Sequence, residues 1–72
     1  MLDFDRVIEK FRHKELDIRN WNFAINKEDT YYAYIMGEGS EQCLARKGGF
    51  ANEKEIVDLY KSIGVKNILQ GV

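Results

Sequence analysis

The sequence predicts an α+β fold, a two-layer sandwich in the order α-β-β-β-α, with both helices on one face of a three-stranded antiparallel meander. Three observations lead there. Apolar residues recur with a helical period near each end of the 72-residue chain. Between those ends, three blocks alternate in the period-two manner of half-buried strands. The links between blocks are short and polar or glycine-bearing, which suits hairpins rather than long crossovers.

Phe4, Val7, Ile8 and Phe11 stand at i, i+3, i+4 and i+7, one stripe of an amphipathic helix. Asp3 is placed to cap it, and Asp5 adds negative charge where the helix dipole favours it. Leu16 falls off the stripe, so the helix is expected to end near Lys14. Leu16 and Ile18 have the opposite parity to Trp21, Phe23 and Ile25, which predicts a bend or bulge around Arg19-Asn20 before the first strand. Asn26 to Thr30 reads as a polar loop, and Tyr31 to Met36 as the middle strand. Gly37-Glu38-Gly39-Ser40 supplies the next turn, and Gln42 to Lys47 a third, weaker strand. Gly48-Gly49 is expected to break the sheet. Asn52 and Glu55 approximate a capping box ahead of the stripe Ile56, Leu59, Tyr60 and Ile63, and Gly64 suits the end of that second helix. The tail from Val65 reads as a short fourth strand or a packed extension, and its Val and Ile lean it toward the strand.

Length and composition bound the function classes. The chain is expected to form a single small globular domain over residues 1–72, with roughly 3–5 kcal/mol from one core. One cysteine, Cys43, and one histidine, His13, cannot close a structural zinc site, so neither metal nor cofactor is expected. Self-association is the remaining way to supplement a small core, which makes a homodimer a candidate state. No apolar run nears the ~18–20 residues of a membrane span, and the N-terminus lacks a secretory pattern. With a lone thiol, a cytoplasmic location is expected and no membrane partner. The net charge of −1 is spread evenly along the chain, so there is no global basic excess for nucleic acid.

Local cations deserve separate reading. Arg6, Lys10 and Lys14 recur every four residues and form a basic flank on the first helix, set against a solvated-face reading with Asp5 and Glu9 nearby. Arg46-Lys47-Gly48-Gly49 precedes a helix N-terminus and suggests an anion cradle, although Glu53 and Glu55 already complement that dipole. The element order is similar to that of double-stranded RNA-binding domains, in order alone. That family sets lysines at the start of its second helix, where this chain has Asn52-Glu53-Lys54-Glu55, and the acidic pair argues against a phosphate grip. No Ser, Cys or acidic pair is placed by sequence against His13, so the chain is expected not to be an enzyme.

The middle strand carries the functional expectation. With Ala33 and Ile35 turned toward the helices, Tyr32, Tyr34 and Met36 face outward beside Asn22, Ala24 and Gln42, as an uncharged aromatic patch. Tyrosine gives large contact area with a hydroxyl that tolerates a wet edge. The expected function is a non-enzymatic protein-binding or regulatory module acting through Tyr32, Tyr34, Met36 and Gln42. The alternative is a small nucleic-acid-binding domain using the same rings with Arg46 and Lys47, or the Arg6, Lys10 and Lys14 flank.

Overall fold

The computed structural model describes residues 1–39 and 42–70. Helix α1 (Phe4–Arg12) and a 3-10 turn (Ile18–Asn20) lead into strands β1 (Trp21–Lys27), β2 (Tyr31–Gly37) and β3 (Cys43–Phe50). Helix α2 (Glu53–Ser62) and strand β4 (Ile68–Gln70) follow. Ser40 of the expected glycine turn, and Gly71 and Val72 of the expected domain and tail, lie outside the described residues.

The strands form one sheet in the order β3-β2-β1-β4. The first three make the antiparallel meander, and β4 pairs parallel to β1. That parallel pairing follows from the route: α2 carries the chain beneath the sheet from one edge to the other. The bend expected at Arg19-Asn20 is the 3-10 turn, which resets parity before Trp21.

One side of the sheet is the core. Phe23 and Ile25 of β1, Ala33 and Ile35 of β2 and Ala45 of β3 pack with Phe4, Val7, Ile8 and Phe11 of α1 and with Ile56 and Tyr60 of α2. Burial of an Ile or Phe side chain contributes about 1.5–3 kcal/mol. An aromatic chain runs through this layer by edge contacts, Trp21 to Phe11 at 5.7 Å, Phe11 to Phe23 at 5.4 Å and Phe23 to Tyr60 at 5.1 Å. Tyr60 has no exposed surface, and its hydroxyl lies 3.0 Å from the Tyr34 carbonyl oxygen and 3.3 Å from that of Ala24. Burial therefore raises its phenol above the ordinary value.

Both helices stop on left-handed residues with the same hydrogen-bond pattern. In α2, the Gly64 N–H donates to the Lys61 carbonyl and the Val65 N–H to the Tyr60 carbonyl, with Gly64 at φ +91°. In α1, the Lys14 N–H donates to Phe11 and the Glu15 N–H to Lys10, and Lys14 itself sits at φ +62°. The first helix thus ends at Arg12, and the stop falls on a residue type that gives no glycine signal.

The second difference from expectation is at Gly48-Gly49, which does not break the sheet. β3 runs through both glycines to Phe50. Tyr31 opposes Phe50 while Ala33 opposes Lys47, so β3 spends one extra residue there. Gly49 takes φ +84°, and its N–H donates to Thr30 Oγ1 at 2.8 Å. A second shift lies between Ile35 and Met36, which oppose Ala45 and Cys43.

Two expected outcomes follow. Lys14→Gly should raise stability by about 0.5–1 kcal/mol, since glycine takes a left-handed position at no steric cost; a lower urea midpoint would contradict this. The raised Tyr60 pKa makes unfolded chains lose that proton first, so stability should fall as pH rises past the ordinary phenol value of about 10. Tyr60→Phe should cost about 1 kcal/mol at pH 7 and flatten the alkaline fall, read as urea midpoints at pH 8 and pH 10.5.

Candidate functional site: the helix-free sheet face

Alternation puts a second set of side chains on the side of the sheet away from the helices. Ala24 opposes Tyr34 across β1 and β2, Tyr34 opposes Arg46 across β2 and β3, and Ala24 sits beside Leu69 on β4. Leu69, Ala24, Tyr34 and Arg46 therefore form one row spanning all four strands. Asn22 and Met36 flank it on one side, Asn26 and Tyr32 on the other. Tyr32, Tyr34 and Met36 are half-buried, and Leu69 is 54% exposed. Gln42 lies exposed, just ahead of β3.

The patch expected to be uncharged from Tyr32, Tyr34, Met36, Asn22, Ala24 and Gln42 has charged neighbours. The Tyr34 hydroxyl donates to Glu28 Oε2, and the Asn26 side-chain amide donates to the same oxygen at 3.4 Å. Glu28 is two residues beyond Asn26, and alternation puts both on this face. The Arg46 guanidinium lies 5.5 Å from the Tyr32 ring centre, and Arg46 stands opposite Tyr34 in the β2–β3 register. The bond to Glu28, reinforced by burial, holds the Tyr34 phenol above its ordinary value, while Arg46 opposes that shift. The centre of the face is thus a phenol set between one anion and one cation.

Tyr32 owes its position to a glycine. A Cβ on Gly48 would meet the Tyr32 ring at 2.4 Å, so the ring occupies the space that a side chain there would fill. The Tyr32 and Tyr34 rings are 6.2 Å apart and tilted by 40°. Gly48 is therefore part of the surface, although by sequence it reads as a sheet breaker.

The structure separates the expected anion cradle. Arg46 points to the helix-free face, whereas Lys47, opposite Ala33, bonds Asp5 of α1 at 3.0 Å. The α2 N-terminus is already served by its own chain: Asn52 accepts from the Glu55 N–H at 3.1 Å, and Glu55 accepts from the Ala51 N–H at 3.1 Å. The basic flank is likewise interrupted. Lys10 lies 3.9 Å from Glu15, and Lys14 has left the helical path; Arg6 remains exposed on α1.

A groove of about 690 Å³ lies elsewhere, where the chain enters β1 and β4, lined in part by Trp21, Phe23, Val65 and Lys66. At its rim Asp17 accepts a forked bond from Arg19, which holds the carboxyl down at about 2. Among the described residues, no three His, Cys, Asp or Glu side chains gather to hold a metal ion, and no helix is long and apolar enough to cross a membrane. No protein-family model, curated protein or solved structure matches this chain.

Leu69, Glu28 and Gly48 escaped the sequence reading because each joins the face through tertiary placement. For Leu69 the weak strand signal of the tail was a usable cue; for Glu28 and Gly48 it was alternation, which puts them on the faces of Asn26 and Arg46. Gly48→Ala should force the Tyr32 ring off the face and cost about 1–2 kcal/mol. In a Tyr32→Ser background the same substitution should cost much less, and additive losses in that double-mutant cycle would contradict the proposed seat.

Proposed function

We propose that this chain is a non-enzymatic protein-binding module working through the helix-free face of its sheet. The observation that carries this reading is the cross-sheet row Leu69, Ala24, Tyr34 and Arg46, with Tyr32 and Met36 beside it. It combines exposed aliphatic surface, two partly exposed tyrosines and an arginine, the residue types that dominate protein contacts. The lone cysteine, Cys43, suits a reducing, cytoplasmic setting for such a module.

Nucleic acid fits this face less well. It offers one cation, Arg46, because Lys47 is turned to Asp5. Glu28 sits against the tyrosines, and the Tyr32 ring lies across Gly48 and alongside Arg46 rather than free for a base. A stacking platform needs open ring faces and a positive track.

Isotope-labelled protein in cell extract tests the reading. Signals of Ala24, Tyr34, Met36 and Leu69 should broaden, while those of Glu9 and Lys54 on the helices stay sharp. Leu69→Lys, which leaves the core untouched, should abolish the broadening, as should Tyr32→Ser with Tyr34→Ser. Broadening that maps to the helices, or that single-stranded oligonucleotide alone reproduces in a salt-dependent manner, would overturn the protein-contact reading.

A further inference from the structure

We infer that the occupant of the helix-free face is a second copy of this chain, docked by a two-fold axis passing close to Tyr34. The inference rests on the protein-contact reading above and names its partner. Its basis is charge complementarity. Glu28 accepts the Tyr34 hydroxyl bond from the β1–β2 hairpin, and Arg46 stands opposite Tyr34 on β3 with its guanidinium 5.5 Å from the Tyr32 ring, so one anion and one cation flank the centre of the row.

A two-fold axis there exchanges the two flanks. Arg46 of each copy then meets Glu28 of the other, and the two Tyr34 rings meet at the axis. A self-complementary patch of this kind is what an isologous interface requires. A face carrying one sign of charge would repel its own copy. Ala24, the small residue opposite Tyr34, leaves room for the partner ring as two sheets approach to about 10 Å.

The area sets the strength. The 25 strand residues of the sheet, at about 4.8 Å spacing and about 3.3 Å rise, give a footprint of roughly 400 Å² per copy. A standard interface buries about 800 Å² per partner. The dimer is therefore weak and concentration-dependent, with exposed Leu69 supplying apolar surface at its rim. The opposite edge of the sheet is less suited to a second copy. Leu2 bridges to Ala45 there, and β3 carries two register shifts.

Sedimentation of the purified full chain over a hundredfold concentration series reaching about 1 mM tests this. The unmodified chain should pass from monomer to dimer. Arg46→Glu leaves each copy with two acids on the face, and Glu28→Arg leaves two bases, so each variant alone should need at least a tenfold higher concentration to associate. An equimolar mixture of the two should associate like the unmodified chain, because every cross-contact is then between opposite charges.

A chain that stays monomeric throughout overturns the inference. So does a dimer that both single variants form as readily, or a mixture no more associated than its parts with both variants folded by circular dichroism. Should a variant fail to fold, Leu69→Lys in the concentration series decides in its place, by weakening the dimer or leaving it unchanged. A monomeric purified chain whose outer-face signals still broaden in extract would remove the second copy while leaving the protein-contact reading intact.

Discussion

Tyr60 ties the second helix to the middle of the sheet, and the rest of the arrangement depends on that tie. Its ring meets Phe23 edge-on, and its hydroxyl reaches the carbonyl oxygens of Tyr34 and Ala24, one on each central strand. The residue is wholly buried, and among the described residues no buried polar side chain lacks a partner. Truncating such a ring costs about 3–5 kcal/mol, close to the whole stability of a single small core. With Tyr60 in place, α2 cannot move to the other side of the sheet. Its C-terminal turn then delivers the chain to β4, where buried Val65 completes the motif that stops the helix.

The same tie decides the polarity of the middle strand. Ala33 and Ile35 face Tyr60 and the α1 stripe, so Tyr32, Tyr34 and Met36 are left on the open side. That assignment was legible because period-two alternation leaves only two faces, and both helical stripes were strong. The element order and the three-stranded meander were legible for the same reason, while the C-terminal strand showed only as a weak Val and Ile propensity. Each is a local pattern.

What was not legible depends on backbone geometry that local pattern does not report. A lysine stops α1 at positive φ, where glycine is the usual sign. Gly48-Gly49 reads as a break, yet the glycines serve a bulge and a close approach. One takes φ +84° and the other lies under the Tyr32 ring. Arg46 and Lys47 are neighbours in sequence and so look like one cationic site. On a strand, neighbours point to opposite faces, and the register against Tyr34 and Ala33 sends them apart. Glu28, two residues beyond Asn26, accepts from the Tyr34 hydroxyl at the hairpin end of the face.

These placements bear on why the open face has the character it does. Tyr34 donates to a carboxylate and has a guanidinium beside it, so its polar tip is satisfied while its ring stays partly exposed. A surface of this kind is cheap to leave in water and still apolar enough to bury. The chain's own described helices cannot bury it, because both apolar stripes are committed to the other side. No disulfide supplements the core, since Cys43 is the one cysteine. In the dimer proposed above, the balance of one anion and one cation about Tyr34 lets a copy of the same face meet it without uncompensated charge.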